Sequence, residues 1–414
     1  MDLTEIRGEI DRIDEELLRL LCRRMDCAGD VAAYKAAHRL PVLNEERERD
    51  ILRRVRAAGD AAGPGYGDAA ALVFSTMMDA SRALQHKRLA AGNELRARLA
   101  AAPRRLLSPQ KARVVCQGVA GAYSDEAASR LFPGATPRFV PAFADVFAAV
   151  ADGTADYGVL PVENSSAGSV NEVYDLVMRH RFTIAAAVEV WVDHCLLALP
   201  GADREELTAV YSKQEALAQC SDYIGARGLE ARGYSNTAAA ARMVAEAGDP
   251  RLCAIGSRRA AEIYGLNILD KNIQNVDNNC TRFIAISREL VIPEDADKIS
   301  LIFALPHVTG SLYRVLSRFA MAGLNLTKLE SRPTRSGEFE YLFYLDFEGS
   351  LESEGTVDLL CALSEEMTAF SFLGNYRELS GPRSGKNVSA DGRDEAAPIS
   401  QEILKNRLGT GKSS

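Results

Sequence analysis

Asn278-Asn279-Cys280-Thr281-Arg282-Phe283 gathers amide, hydroxyl and guanidinium groups just ahead of the apolar run Ile284-Ala285-Ile286. Hydrogen-bonding groups at the end of a strand in an α/β layer are where small ligands bind. Thr-Arg-Phe also recurs by chance, and a strand edge with a surface arginine has the same appearance, so its weight comes from its company. A second set lies in the first hundred residues. Arg24 falls on a heptad seam where an apolar residue belongs, and Lys35, eleven residues on, is only about 20° away around a helix. Two cations on one inner face are costly unless an anion sits between them, although a loose seam could also let Arg24 snorkel. Arg47 and Glu48, then Ser81 and Gln85, follow at positions that also face inward. A third set is Gly118-Val119-Ala120-Gly121-Ala122-Tyr123-Ser124, which follows the apolar run Val114-Val115-Cys116. Strand, glycine turn and helix start make a generic anion site. The full G-x-G-x-x-G is absent and no Walker lysine follows, so nucleotide binding is discounted.

The elements that must hold these residues suggest several domains, since 414 residues allow two to four. Hydrophobic residues make up 47% and charged ones 26%, enough for real cores. A net charge of −8 argues against nucleic acid as a partner. The start is acidic and amphipathic, without a signal-peptide core, and no run approaches the ~18 apolar residues of a membrane span. The eight cysteines and five histidines form no ligand spacing, so the expectation is a cytoplasmic protein with no metal and no cofactor.

Leu3, Ile10, Leu17 and Val31 on one heptad position, with Ile6, Ile13, Leu20, Cys27 and Tyr34 on the other, predict one helix of more than thirty residues whose stripe wants a partner helix. Asn44 caps a second helix to about Ala57, and a third runs from about Asp68 to Ala101 with Phe74, Met78, Ser81 and Gln85 on one stripe. Residues 112–288 read as two α/β lobes whose polar strand ends face a crevice, the first delivering Glu163-Asn164-Ser165 and the second beginning near Trp191. Residues 298–377 read as a βαββαβ unit of ferredoxin-like order. Residues 379–414 read as a disordered tail, with a short helical stretch at 400–407.

With Arg7, the spacing Arg7, Arg24, Lys35, Asn44, Arg47-Glu48, Ser81 and Gln85 over residues 1–101 resembles the all-helical type of chorismate mutase. The resemblance implies an intertwined dimer in which Arg7 serves the partner's site; by helical geometry Arg7 lies about 100° from Arg24. It implies that Arg24, Arg47 and the second Arg7 hold the two substrate carboxylates. Lys35 and Gln85 donate to the ether oxygen, Glu48 holds the ring hydroxyl, and Ser81 lies nearby. Family members carry Asp where Asn44 stands.

Gly118-x-x-Gly121-x-Tyr123-Ser124, Pro161-Val162-Glu163-Asn164-Ser165, Asp193-His194-Cys195-Leu196, Ala254-Ile255-Gly256-Ser257 and Asn279-x-Thr281-Arg282-Phe283 resemble prephenate dehydratase. That implies Thr281 as proton donor to the departing hydroxyl, Arg282 near the substrate carboxylate and Phe283 walling the cleft. Ser124, Asn164, Ser165, Ser212 and Thr237 supply further substrate contacts. His194 is read as a packed strand residue rather than a general acid. Lys213-Gln214-Glu215 replaces the His-Pro-Gln that many members carry after Ser212. Gly310-Ser311-Leu312 and Glu330-Ser331-Arg332-Pro333 resemble the phenylalanine-sensing ACT domain attached to such enzymes, with Asn325 at the same dimer interface.

Taken in order, these resemblances imply an enzyme that converts chorismate to prephenate and prephenate to phenylpyruvate. They also imply inhibition by L-phenylalanine and assembly as a homodimer or tetramer. Two alternatives stay open. One is a prephenate or arogenate dehydratase whose helical module only dimerises; the other is a non-catalytic sensor of a small anion or amino acid.

Overall fold

A computed structural model describes residues 2–89, 94–104, 112–276, 278–333, 341–367 and 369–380. Asp2 opens the first helix with a reciprocal cap: its carboxylate accepts from the Glu5 N–H and Glu5 accepts from the Asp2 N–H. Helix α1 (Leu3–His38) runs 36 residues and stops where Arg39 turns left-handed. Asn44 caps α2 (Glu45–Ala62), which continues past the expected Ala57 because alanines favour helix propagation. The expected third helix is two, α3 (Tyr66–Leu89) and α4 (Glu94–Ala101), and Asp68 lies inside α3 rather than capping it. Helix α3 packs on both α1 and α2. Helix α1 buries only Ala28, Gly29 and Ala32, all small enough to let a helix approach closely. The apolar stripe of its first half stands open: Leu3 is 62% exposed, Ile10 49% and Leu17 57%.

The first α/β lobe contains β1 (Val114–Gln117), α5 (Tyr123–Leu131), β2 (Arg138–Val140), α6 (Phe143–Ala151), β3 (Tyr157–Asn164), β4 (Gly168–Ser169), α7 (Asn171–His180) and β5 (Thr183–Trp191). The second contains β6 (Cys195–Ala198), β7 (Ala209–Ser212), α8 (Gln214–Gln219), α9 (Ser221–Arg227), β8 (Glu230–Gly233), α10 (Thr237–Ala247), β9 (Leu252–Gly256), α11 (Arg258–Tyr264) and β10 (Asn267–Lys271), with sheet order β10-β6-β9-β7-β8. The chain then returns through β11 (Cys280–Ser287), antiparallel between β3 and β5. Thr281 therefore stands opposite Asn164 on β3.

The last segment is β12 (Lys298–Leu305), α12 (Ser311–Met321), β13 (Leu326–Pro333), β14 (Tyr341–Glu348), α13 (Glu354–Glu366) and β15 (Ser371–Leu379). Its βαββαβ order matches the sequence pattern, with strands ordered β13-β14-β12-β15. The sheet does not stop there. The end of β15 runs parallel to β5, so this segment and the first lobe share one ten-stranded sheet. Gly374 is required where β15 leaves β12 for β5, since a Cβ there would lie 2.2 Å from the Ile184 carbonyl oxygen. The expected tail lies outside the described residues. Among the described residues no helix is long and apolar enough to cross a membrane.

Candidate active sites

Helices α1, α2 and α3, with the turn before α2, line an open cavity of 390 Å³ whose lining includes Arg24, Lys35, Asn44, Arg47, Glu48, Ser81 and Gln85. Seven of the eight expected residues thus meet in one place. Arg7 does not: it is exposed, and seventeen residues of helix put it roughly 25 Å from Arg24. Arg24 Nη1 donates to Ser81 Oγ and to the Met77 carbonyl, which fixes the guanidinium against α3. Lys35 Nζ donates to the Val42 carbonyl. Burial lowers the Lys35 pKa, partly opposed by Glu48 and reinforced by Arg82. Asn44 Oδ1 accepts from the Arg47 N–H at 2.9 Å, so this amide can serve the cap as an aspartate would. Gln85 Nε2 donates to the Ser81 carbonyl at 3.3 Å, while its buried Oε1 has no hydrogen-bond partner. A cavity lined by four cations, one carboxylate and an orphaned amide oxygen suits a small, polyanionic, hydroxylated molecule.

At the ends of β3 and β11, Asn164 organises the second site. Its Oδ1 accepts from the Ser166 and Ala167 N–H groups at 3.0 and 2.9 Å, which fixes the amide orientation. Nδ2 therefore donates to Thr281 Oγ1 at 2.8 Å and to Asn279 Oδ1 at 2.7 Å. Because Thr281 Oγ1 accepts this bond, its own hydrogen is left to donate elsewhere. Ser165 Oγ donates to the Asn278 carbonyl and accepts from the Cys280 N–H, pinning the loop to the strand. Asn279 Nδ2 donates to Gln219 Oε1 at 3.2 Å, and His194 Nε2 lies 2.9 Å from the same oxygen. A relay of side chains thus joins the two lobes. His194 is buried as expected, though it lies just ahead of β6 rather than in the strand, and burial lowers its pKa, with Gln219 opposing.

Other expected residues lie elsewhere. Ser124 Oγ donates to the Gln117 carbonyl and Ser212 Oγ to the Ile255 carbonyl, so both hydroxyl hydrogens are spent on the scaffold. Thr237 opens α10 behind the Asn236 cap. Lys213 and Glu215 pair with each other at 3.1 Å on the surface. Ser257 Oγ donates to the Gly121 carbonyl at 2.8 Å; with φ +81° and Ala260 Cα only 2.9 Å from where a Cβ would sit, Gly121 is where the lobes press together. Arg282 corrects an expectation. Successive strand residues face opposite ways, and its guanidinium turns from Thr281 to the C-terminal segment. It meets Asp346 Oδ2 at 2.5 Å, Tyr376 Oη at 2.8 Å and the Glu378 carboxylate. Phe283 also corrects one: at 3% exposure it packs in the apolar core with Ala127, Ala128 and Phe132 rather than walling an opening. Gln219 was missed, because a single amide at the end of a short alanine-rich helix carries no motif.

In the last segment, Gly310 turns left-handed to start α12. Beside it Ser311 Oγ is buried without a hydrogen-bond partner, and Leu312 packs on the segment's core. Asn325 Nδ2 donates to Glu348 Oε2 at 3.0 Å. Glu330 Oε2 accepts from Ser169 Oγ and Oε1 from Arg332 Nη2 at 2.6 Å. Ser331 and Pro333 continue this edge strand. Among the described residues no hydrogen bond or ion pair links Gly310–Leu312 to Glu330–Pro333.

Residues 6–86 match the family model for chorismate mutase type II, and residues 114–290 that for prephenate dehydratase. A bifunctional chorismate mutase/prephenate dehydratase from Aquifex aeolicus is 32% identical over 381 residues, spanning 91% of this chain and 98% of that protein. The chloroplastic arogenate dehydratase/prephenate dehydratase 2 of Arabidopsis thaliana is 41% identical over 277 residues, spanning 64% and 73% respectively. The solved prephenate dehydratase of Arthrobacter aurescens in complex with L-Phe is 29% identical with a TM-score of 0.57, covering 64% of this chain and 89% of that one.

Proposed function

The chain belongs to the bifunctional chorismate mutase/prephenate dehydratase family, and from that premise we propose how its residues divide the work. It rearranges chorismate to prephenate, then decarboxylates and dehydrates prephenate to phenylpyruvate, in phenylalanine biosynthesis. The observation that carries the first step is one cavity gathering seven of the eight expected polar residues from three helices and the cap of α2. Arg24, Arg47 and the partner's Arg7 clamp the two carboxylates of chorismate. Lys35 and Gln85 donate to the ether oxygen as its bond to the ring carbon breaks and charge builds on it. Glu48 receives the ring hydroxyl. No proton or nucleophile is exchanged; the rate comes from holding the reactive conformer.

In the second step Thr281, its oxygen tied to Asn164, gives its hydrogen to the departing hydroxyl, which leaves as water. The bond to the ring carboxylate breaks, carbon dioxide departs, and its electron pair completes the aromatic ring. Thr281 regains a proton from solvent. Arogenate differs by one substituent and fits the same chemistry.

The open apolar stripe of α1 supports a dimer of long helices, with a tetramer as the product if the C-terminal segments also pair. We read that segment as an ACT domain in which Gly310–Leu312 of one copy and Glu330–Pro333 of its partner enclose L-phenylalanine. Among the described residues the eight cysteines form no disulfide, which fits a reducing cytoplasm. Lys35→Ala tests the assignment of the first site: chorismate consumption should fall by about two to three orders of magnitude while supplied prephenate is still dehydrated. An unchanged chorismate rate would remove Lys35 from the reaction.

A further inference from the structure

Arg82 follows Ser81 on α3, is 7% exposed and lines the same cavity. Its Nη1 pairs with the Glu48 carboxylate and its Nη2 with Asp79. Its Nε makes no hydrogen bond and lies 3.5 Å from Glu366 Oε2 in the C-terminal segment, an ion-pair contact. Glu366 is the last residue of α13. Its carboxylate accepts from Arg318 Nη1 at 2.7 Å and meets His86 Nε2 at 2.7 Å. One carboxylate from the C-terminal segment therefore sits among two guanidiniums and an imidazole, all nearly buried.

The charges are interdependent. Burial opposes the Arg82 cation, but Glu366, Glu48 and Asp79 more than offset it and raise its pKa. Removing one member of a buried ion network leaves another charge uncompensated. A guanidinium is a rigid plane whose edges move together. What Glu366 does at the Nε edge is therefore felt at the Nη1 edge, where Glu48 is held.

We propose that Arg82 is a positioning residue for the rearrangement of chorismate, setting the Glu48 carboxylate. Glu366, from the C-terminal segment, in turn sets Arg82. The first site is then incomplete without a residue more than 260 positions downstream. The inference rests on the mutase function proposed for this cavity.

The test uses the full chain and follows, on the same samples, chorismate consumption, dehydration of supplied prephenate and the melting temperature. Glu366→Gln keeps the shape and removes the charge. Its kcat for chorismate should fall about tenfold with KM changing less than about twofold, while prephenate turnover is retained. A merely structural role would lower both activities together. Arg82→Met should lose at least as much, Arg82→Lys should recover part of it, and Glu366→Gln combined with Arg82→Met should be no worse than Arg82→Met alone. An unchanged chorismate kcat in Glu366→Gln, or additive losses in the double variant, would overturn the proposal. If Arg82→Met fails to fold, Glu366→Gln decides by itself. If the unsubstituted protein does not consume chorismate, the mutase reading fails and this inference with it; if it does and Glu366→Gln matches it, the inference alone fails.

Discussion

At the scale of single atoms, the chemistry proposed for the second site rests on the hydrogen bond from Asn164 Nδ2 to Thr281 Oγ1. The two backbone N–H groups on Asn164 Oδ1 leave its Nδ2 as the donor to Thr281, and so leave the threonine hydrogen free. Thr281→Ala should lower phenylpyruvate formation from supplied prephenate by about 10²–10⁴-fold, with chorismate consumption unaffected, and Thr281→Ser should keep most of the rate. Lys35 makes a pH prediction. In the proposed reaction its cation is the working form, and burial brings its pKa below the ordinary value, so the proton is lost at lower pH. The kcat/KM for chorismate should decline on the alkaline side before the pH of about 10.4 where an unperturbed lysine titrates. A flat profile through that range would contradict the role. The helical site was legible in the sequence because polar residues on an apolar stripe stand out. Arg282 was not, since alternation says only that it opposes Thr281; which face meets the crevice depends on what β5 and β15 cover.

Helix α1 is the element whose surface demands a partner. Each Leu or Ile on its open stripe gains roughly 1.5–3 kcal/mol on burial, and the first half of the helix carries several. Leu17→Glu or Ile10→Glu should therefore shift the protein to smaller species in analytical ultracentrifugation. Chorismate turnover should fall with it, because the partner's Arg7 is withdrawn. Dissociated chains retaining the full chorismate rate would rule out the shared site. The heptad predicted one helix of more than thirty residues and the structure has 36, since an apolar repeat of that length has few other readings. Strand β5 escaped notice for the opposite reason. Its Ile184-Ala185-Ala186-Ala187-Val188 is buried on both faces, shows no alternation and is alanine-rich, so periodicity is silent exactly where the sheet is most central.

On the scale of the whole molecule, the shared ten-stranded sheet makes the C-terminal segment continuous with the second site. Lys328 on β13 links the two at their edge: its ammonium lies 2.7 Å from Glu163 Oε2 and 3.5 Å from Glu330 Oε2. Glu163 precedes Asn164, while Glu330 belongs to the stretch read as holding phenylalanine. Lys328→Met should keep the uninhibited phenylpyruvate rate and weaken inhibition by phenylalanine severalfold, as expected when a coupling of 1–3 kcal/mol is partly removed; inhibition unchanged in that variant would take Lys328 out of the coupling. Such cross-domain contacts lie beyond sequence reading, which gives each segment its pattern but not its neighbour. The most direct measurement gives the purified protein chorismate without added cofactor or metal and follows prephenate and phenylpyruvate with and without phenylalanine. The account predicts that chorismate disappears, phenylpyruvate forms, and phenylalanine suppresses it. Prephenate accumulating with no phenylpyruvate would contradict the second site, and chorismate left intact while supplied prephenate is converted would reduce the helical cavity to a dimerisation module.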